Sequence, residues 1–410
     1  MTDYVGEKPS ISKAAWIILT LCILVGICEG VDLQAAGVAA PRLAPAFGIE
    51  PSALGLFFSS ATFGLMFGAL VGGRVSDRIG RKPALIWSVI IFGVMSIATG
   101  LAPNYETLVI ARFLTGVGLG GAMPNLVALV AESVPNSRRS IAVGSLYASM
   151  PLGGAVAALI SMVIGSGADS WRTIFYLGGI APLVIAPLLF FALKDTAPVK
   201  NPTSGVEASA KRPSVPAVLF GEGRATNTLM LWGAFFLGLL VLYLLLNWLP
   251  TLLVGRGLER SEASQVQLAF NIAGVIGCVV SGGLMDGKRR ALSALGIFSF
   301  GALSLALLAG APASLVISIM IGLGLGATMN GAQAVLYGLA PSAYPLYVRG
   351  TGIGSAVAFG RLGSAAGPLL AGALVAVGLG AGQIMLVLVP IMLIAGGLTA
   401  LLARRVTSRD

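Results

Sequence analysis

Glu29 and Asp32 stand three residues apart in GICEGVDLQAAG, Gly26 to Gly37, within an apolar run from Ala14 to Pro41. At that spacing the two carboxylates lie on similar faces of a helix. Away from water they cannot cheaply both be ionised, which suits one of them to carry a proton. No other acid among the sixteen falls well inside an apolar run; Asp77, Glu132 and Asp286 sit at the ends of such runs. Among the bases, only Arg112 and Arg361 lie inside. In a bilayer each such charge costs about 2.5–3.5 kcal/mol on insertion scales. Four of them, two of each sign, therefore point to a shared polar cavity. Arg361, in AVAFGRLGSAAGP, has no intramembrane acid in its own half of the chain, and an arginine facing a cavity can grip a carboxylate bidentately. A static reading stands beside this one: either acid could simply neutralise Arg112, and Arg361 could pack against Asp32 or a carbonyl.

Other polar and aromatic side chains in apolar runs are Gln34, Asn125, Tyr147, Tyr243, Asn247, Trp248, Gln267, Asn271, Asn330, Gln333 and Tyr337. Gln34, Asn125, Tyr147, Tyr243, Asn247, Asn271, Asn330, Gln333 and Tyr337 are expected to line the cavity with the arginines. Such residues also glue helices together. Trp248, near one end of its run, reads as an interface anchor.

The elements that must hold these groups are long and greasy. The chain of 410 residues is 56% hydrophobic and only 10% charged, where a soluble domain is about a quarter charged. Runs long enough to span a bilayer fall at 14–41, 52–73, 83–102, 106–130, 140–165 and 172–193, then at 226–250, 263–285, 291–310, 313–338, 351–375 and 381–402. Twelve helices are expected, an all-α polytopic membrane protein. The first run lacks a small-residue cleavage site and reads as a span rather than a signal peptide.

The net charge of +10 would suggest nucleic acid in a soluble chain. Here the positive-inside rule accounts for it. With the N-terminus inside, the inner segments hold nearly all the Lys and Arg, and the outer ones only Arg42, Arg172, Arg256 and Arg260. Both termini are then cytoplasmic, and the partners are a lipid bilayer and a small solute, not nucleic acid. There is no histidine, and Cys22, Cys28 and Cys278 show no metal-ligand spacing. No nucleophile–base pair or phosphate-binding loop appears either, so an enzyme is not indicated and no cofactor or metal is expected.

The chain repeats itself about 210 residues apart. GVGLGGAMPN at 116–125 returns as GLGLGATMNG at 322–331, and VGGRVSDRIGRKPAL at 71–85 as the shorter SGGLMDGKRRAL at 281–292. The expected division is 1–193 and 225–410 as two six-helix bundles, with 194–224, rich in Pro, Ser and charge, as a cytoplasmic linker. Two such halves suit a protein that rocks around a central site.

GRVSDRIGRKPAL, Gly73 to Leu85, matches the G-x-x-x-D-R-x-G-R-K-x-x-L loop of the major facilitator superfamily, and RFLTGVGLGG, Arg112 to Gly121, its R-x-x-x-G-x-G-x-G helix. The resemblance covers essentially the whole chain. It implies conformational gating by Gly73, Asp77, Arg78, Gly80 and Arg81. A turn held by Gly73 and Gly80 would set Asp77 against helix ends and Arg81 in one conformation and release it in the other. YASMPLGGA, Tyr147 to Ala155, loosely resembles a motif of drug antiporters, although its Pro and Gly also suit a packed hinge.

EGVDLQAAG, NWLPTLL and GRLGSAAGPLLAG carry a closer resemblance, to the aromatic acid:proton symporter family. Many members have an acid-Gly-aromatic-Asp signature; Glu29-Gly30-Val31-Asp32 keeps the acids and the glycine and lacks the aromatic. Within the family the likeness is greatest to hydroxyphenylpropionate carriers and then to hydroxybenzoate and protocatechuate carriers. The resemblance implies uptake of an aromatic carboxylate with protons across a bacterial inner membrane, by a monomer driven by the proton gradient alone. Asp32, with Glu29, would take the proton, Arg361 or Arg112 the carboxylate, and Tyr147 or Tyr337 the ring. The alternatives are a proton-coupled antiporter exporting drugs or metabolites and a transporter-like membrane sensor.

Overall fold

In the computed structural model residues 12–135, 138–164, 167, 169–193, 214–285, 289–345 and 348–407 are described. Among them there are helices and no strand. They are α1 (Lys13–Phe47), α2 (Leu54–Ile79), α3 (Arg81–Leu101), α4 (Tyr105–Ser133), α5 (Arg139–Val163), α6 (Ser170–Ala192), α7 (Val215–Phe220), α8 (Ala225–Val254), α9 (Arg260–Met285), α10 (Arg290–Gly310), α11 (Leu315–Leu339), α12 (Arg349–Ala376) and α13 (Ala381–Thr407). All except the short α7 are long and apolar enough to cross a membrane, twelve candidate spans in all. Helices are what such runs must form, because hydrocarbon offers no partner to an open backbone group. Of the expected linker, 194–213 lies outside the described residues, and α7 and the turn after it make up the rest.

Two boundaries move for local reasons. α1 runs on through Pro41 and Pro45 to a left-handed cap at Gly48, φ 61°, so Arg42, expected in a loop, belongs to the helix. α2 continues past 73 to Ile79. The turn expected at Gly73 and Gly80 is therefore narrower: Gly73 is helical, with open space where a side chain would stand. Gly80 alone makes the corner, at φ 92°, a backbone region that side-chain-bearing residues rarely adopt.

The repeat in the sequence becomes a repeat in packing. In the first group α2 packs on α4, α1 on α5 and α6, and α3 on α4 and α6; in the second α9 packs on α11, α8 on α12 and α13, and α10 on α11 and α13. The recurring glycines explain the closest pairs. A methyl at Gly116 would collide with the Ala61 carbonyl and one at Gly120 with that of Leu65, and in the second group Gly326 meets the Phe270 carbonyl. These are the close backbone approaches that small residues permit in membranes.

α1 meets α8, α2 meets α12 and α5 meets α9 across the seam between the groups. With twelve spans, the start of α1 at Lys13 and the end of α13 at Thr407 fall on one face of the molecule, called here the basic face, together with the α2–α3 corner that carries Arg78 and Arg81. The hydrogen bonds that join the groups among the described residues all lie in the other half. Ser59 Oγ donates to the Ala365 carbonyl at 2.8 Å, and Ser161 Oγ meets Ser264 Oγ at 3.1 Å. Gln34 and Asn271 exchange amide hydrogen bonds at 2.9 and 2.8 Å, and Gln267 Nε2 donates to Gln34 Oε1 at 2.7 Å. Phe58 also packs edge-on against Trp248, ring centres 5.4 Å apart. Away from the basic face the seam is stitched shut.

Candidate functional site

The two acids of α1 have opposite surroundings. Asp32 is fully buried and saturated. Arg112 Nη1 on α4 donates to Asp32 Oδ2 at 2.9 Å and Nη2 to the Asp32 carbonyl at 3.2 Å, while Ser96 Oγ on α3 donates to Oδ1 at 2.9 Å. Phe175 of α6 closes the cluster, its ring centre 5.6 Å from the guanidinium carbon. The pair thus ties α1 to three helices of its own group. Each charge is met by the other and by hydrogen bonds, the condition for tolerating ions away from water.

Glu29 is also fully buried, but neither of its carboxyl oxygens has a hydrogen-bond partner. It lies within electrostatic reach of Arg361 on α12, without the close contact of an ion pair. Arg361 Nη1 donates to the Tyr243 hydroxyl on α8 at 2.7 Å, and Tyr147 and Tyr337 also feel its charge. Tyr147 on α5 and Tyr337 on α11 stack across the seam, ring centres 5.7 Å apart and planes 30° from parallel. Phe235 of α8 meets the Tyr337 ring edge-on at 5.1 Å. An unpartnered acid, an arginine without a close counter-ion and three tyrosines therefore converge from five helices of both groups. Such a place can take a carboxylate at the guanidinium, a ring beside the tyrosines and a proton at Glu29.

Several polar residues expected in a cavity are placed elsewhere. Asn125 is buried between α2 and α4, where its Oδ1 accepts from Ser76 Oγ at 2.6 Å and its Nδ2 donates to the Gly121 carbonyl. Asn330 sits between α9 and α11, its amide against Gly274 and bonded to the Gly326 carbonyl at 3.1 Å. Asn247 turns its amide back to the Tyr243 carbonyl at 2.8 Å. Asn125 and Asn330 thus stand between neighbouring helices, while the Asn247 amide is bonded within α8. Gln34 and Asn271 belong to the seam, together with Gln267. Trp248 is no interface anchor: it is 1% exposed and donates to the Pro368 carbonyl at 3.1 Å. Gln333 is buried with both ends of its amide unpartnered. The glycines of YASMPLGGA face α1, where a Cβ at Gly153 would meet the Ile27 carbonyl and one at Gly154 the Gln34 amide. Packing alone accounts for them.

At the basic face Arg81 forms an ion pair with Glu132 at the end of α4, and Arg78 is exposed. The side chain of Asp77 lies outside what is described. Sequence reasoning missed Ser96, an ordinary serine until Asp32 is placed beside it, and Arg42. The latter is buried, donating to Ser161 Oγ at 2.9 Å and to the Ser161 carbonyl at 3.0 Å.

Comparison with known proteins agrees with this architecture. The chain is 42% identical to the 3-(3-hydroxy-phenyl)propionate transporter of Escherichia coli K12, over 94% of each chain. It is 33% identical to the 4-hydroxybenzoate transporter PcaK of Pseudomonas aeruginosa, over 94% of this chain and 92% of that one. Among solved structures, a D-xylose-proton symporter superposes with a TM-score of 0.75 at 19% identity, covering 95% of this chain and 97% of the other. The family model for the Major Facilitator Superfamily matches residues 22–345. The chain belongs to the major facilitator superfamily, whose members here are transporters and not enzymes.

Proposed function

We propose that the protein takes up an aromatic carboxylate of the hydroxyphenylpropionate or hydroxybenzoate kind together with protons, by alternating access. The observation that carries this reading is Glu29: a buried carboxyl with neither oxygen bonded, within electrostatic reach of Arg361, which Tyr243 hydrogen-bonds where the two groups meet. The relatives' substrates, hydroxylated aromatic acids, are what such a site fits.

By the positive-inside rule the basic face is cytoplasmic, which puts both termini in the cytoplasm of a bacterial inner membrane. Residues 1–193 and 225–410 move as the two rocking units, 194–224 links them, and a monomer suffices. The hydrogen bonds across the seam lie toward the outer side, which suits a state that opens inward. In the outward-opening state Glu29 takes a proton from outside, and the substrate's carboxylate settles on Arg361 with its ring by Tyr147 and Tyr337. A neutral Glu29 beside a paired Arg361 leaves less charge to occlude, and the units rock. The more alkaline cytoplasm takes the proton, and the acid leaves. Asp32, held by Arg112 and Ser96, keeps α1 in place while this happens. The proton gradient supplies the energy and no cofactor takes part.

The test is uptake by proteoliposomes under an inward proton gradient, across hydroxylated benzoates, phenylpropionates, muconate and a sugar control. Accumulation of an aromatic acid that collapses with a protonophore is expected. Aromatic acid flux indifferent to the gradient, or solute driven out against entering protons, overturns the reading.

A further inference from the structure

We propose that Gln333 reads a hydroxyl group on the substrate's ring, so that the site selects hydroxylated aromatic acids over bare ones. The inference rests on the transport reading above. Among the described residues Gln333 is the one buried side-chain amide whose nitrogen and oxygen are both without a hydrogen-bond partner. The other amides near the seam each make at least one hydrogen bond: Gln34 with Asn271, Gln267 through its nitrogen with Gln34, and Asn247 with its own helix. A buried amide bonded at neither end is costly to keep, and such orphans call for an explanation.

Its position supplies one. Gln333 lies one turn before Tyr337 on α11, so the two share a face of that helix. Tyr337 is the ring that stacks on Tyr147 and feels the charge of Arg361. Across from Gln333 is Gly238 of α8, where an added Cβ would stand 3.4 Å from Nε2. The glycine sets no side chain of its own against the amide.

The chemistry then selects the ligand group. One hydroxyl both donates and accepts, and can satisfy Oε1 and Nε2 together. A carboxylate only accepts and would face Oε1 with a second negative oxygen; Arg361, with donors alone, is its proper partner. A ring C–H offers the amide nothing. An acid anchored at Arg361 with its ring beside Tyr337 therefore gains at Gln333 only if the ring carries a hydroxyl. A site built this way rejects the analogue lacking the group, because the amide is left buried and unpaired.

The experiment compares 3-(3-hydroxyphenyl)propionate, 3-phenylpropionate and 3-(3-methoxyphenyl)propionate in proteoliposomes holding the full chain under an inward proton gradient. The wild type should prefer the hydroxylated acid over the bare one by about 10- to 100-fold in kcat/KM, with the methoxy analogue, which cannot donate, grouped with the bare acid. Gln333→Met should bring the ratio to within about twofold, losing on the hydroxylated acid and gaining on the bare one. Should that variant fail to insert, Gln333→Asn, which withdraws the amide by one methylene, must narrow the ratio in the same direction. A variant that lowers uptake of all three acids equally, or leaves the ratio as in the wild type, overturns the role of Gln333 while leaving the transport reading intact. If the wild type carries none of the three acids nor any other aromatic carboxylate, the transport reading falls and this inference with it.

Discussion

Asp32 and Glu29 are less than one helical turn apart on α1, equally buried, and chemically near-identical. Yet one has an arginine, a serine and a closing phenylalanine ring around it, and the other has no hydrogen bond at all. The contrast runs along the seam: Asp32 looks into its own group of helices, Glu29 across to the other. A saturated ion pair is architecture, because moving its proton or its partner leaves a bare charge in the interior. A carboxyl without partners is available, and what it meets depends on how the two groups stand. The pair teaches that the depth of a charge in a membrane says less about its work than its count of partners.

The contrast can be broken at four points. The largest effect is expected from Glu29→Gln, which is nearly isosteric and forfeits no hydrogen bond. Accumulation under a proton gradient should fall to the level reached with no gradient, with an unchanged melting temperature in detergent. If Glu29→Gln still accumulates substrate in response to an imposed gradient, the proton travels elsewhere, and Asp32 becomes the first residue to examine.

Asp32→Asn should act the other way, as a structural lesion. Unpairing Arg112 costs about 3–5 kcal/mol, read as a lowered melting temperature and poor recovery from membranes. The double variant Asp32→Asn with Arg112→Gln should regain part of that loss. An Asp32→Asn protein that melts like the wild type and merely fails to accumulate substrate would erase the distinction between the two acids.

Arg361→Lys keeps the charge but gives up the planar fork. Substrate binding should weaken about tenfold, which is about 1.4 kcal/mol, with little change in stability. Equal affinity in a direct binding assay would show that no bidentate grip exists there. The smallest effect belongs to the seam. Ser264→Ala removes one hydrogen bond between the groups, worth about 0.5–1.5 kcal/mol, and should shift the population toward the state open at the other face. Spin-label distances across α5 and α9 would measure the shift; an unchanged distribution would mean that the serine pair is incidental.

How much of this was legible in the sequence follows from what each signal depends on. Span number is written in apolar length, and all twelve spans appear as helices. The four intramembrane charges stood out because a charge in a greasy run is rare. Which of the two acids pairs with Arg112 did not, since Ser96 and Phe175, which complete the cluster, lie far along the chain from Asp32 and look ordinary in their own helices. Polar residues in spans were harder still. Asn125 and Asn330 face a neighbouring helix while the Gln333 amide is buried without a partner, and in a bundle that is apolar on every side, periodicity does not tell these faces apart. Arg42 was hidden by Pro41 and Pro45, which read as a helix end and are not one. The glycine motif at the basic face was plain to see, whereas only the backbone reveals that Gly80, not Gly73, turns the corner.

The stitching of the seam has a consequence for how pH reaches this molecule. Among the described residues, the hydrogen bonds named above as joining the two groups run between amides, hydroxyls or a backbone carbonyl. None of these groups gains or loses a proton over the range a cell experiences. Acidity therefore has no handle on the clasp that holds the far face shut. In the mechanism proposed above, acidity acts instead through Glu29 and Arg361, the same groups that would meet the solute, so the proton and its cargo would address one and the same hinge of the equilibrium.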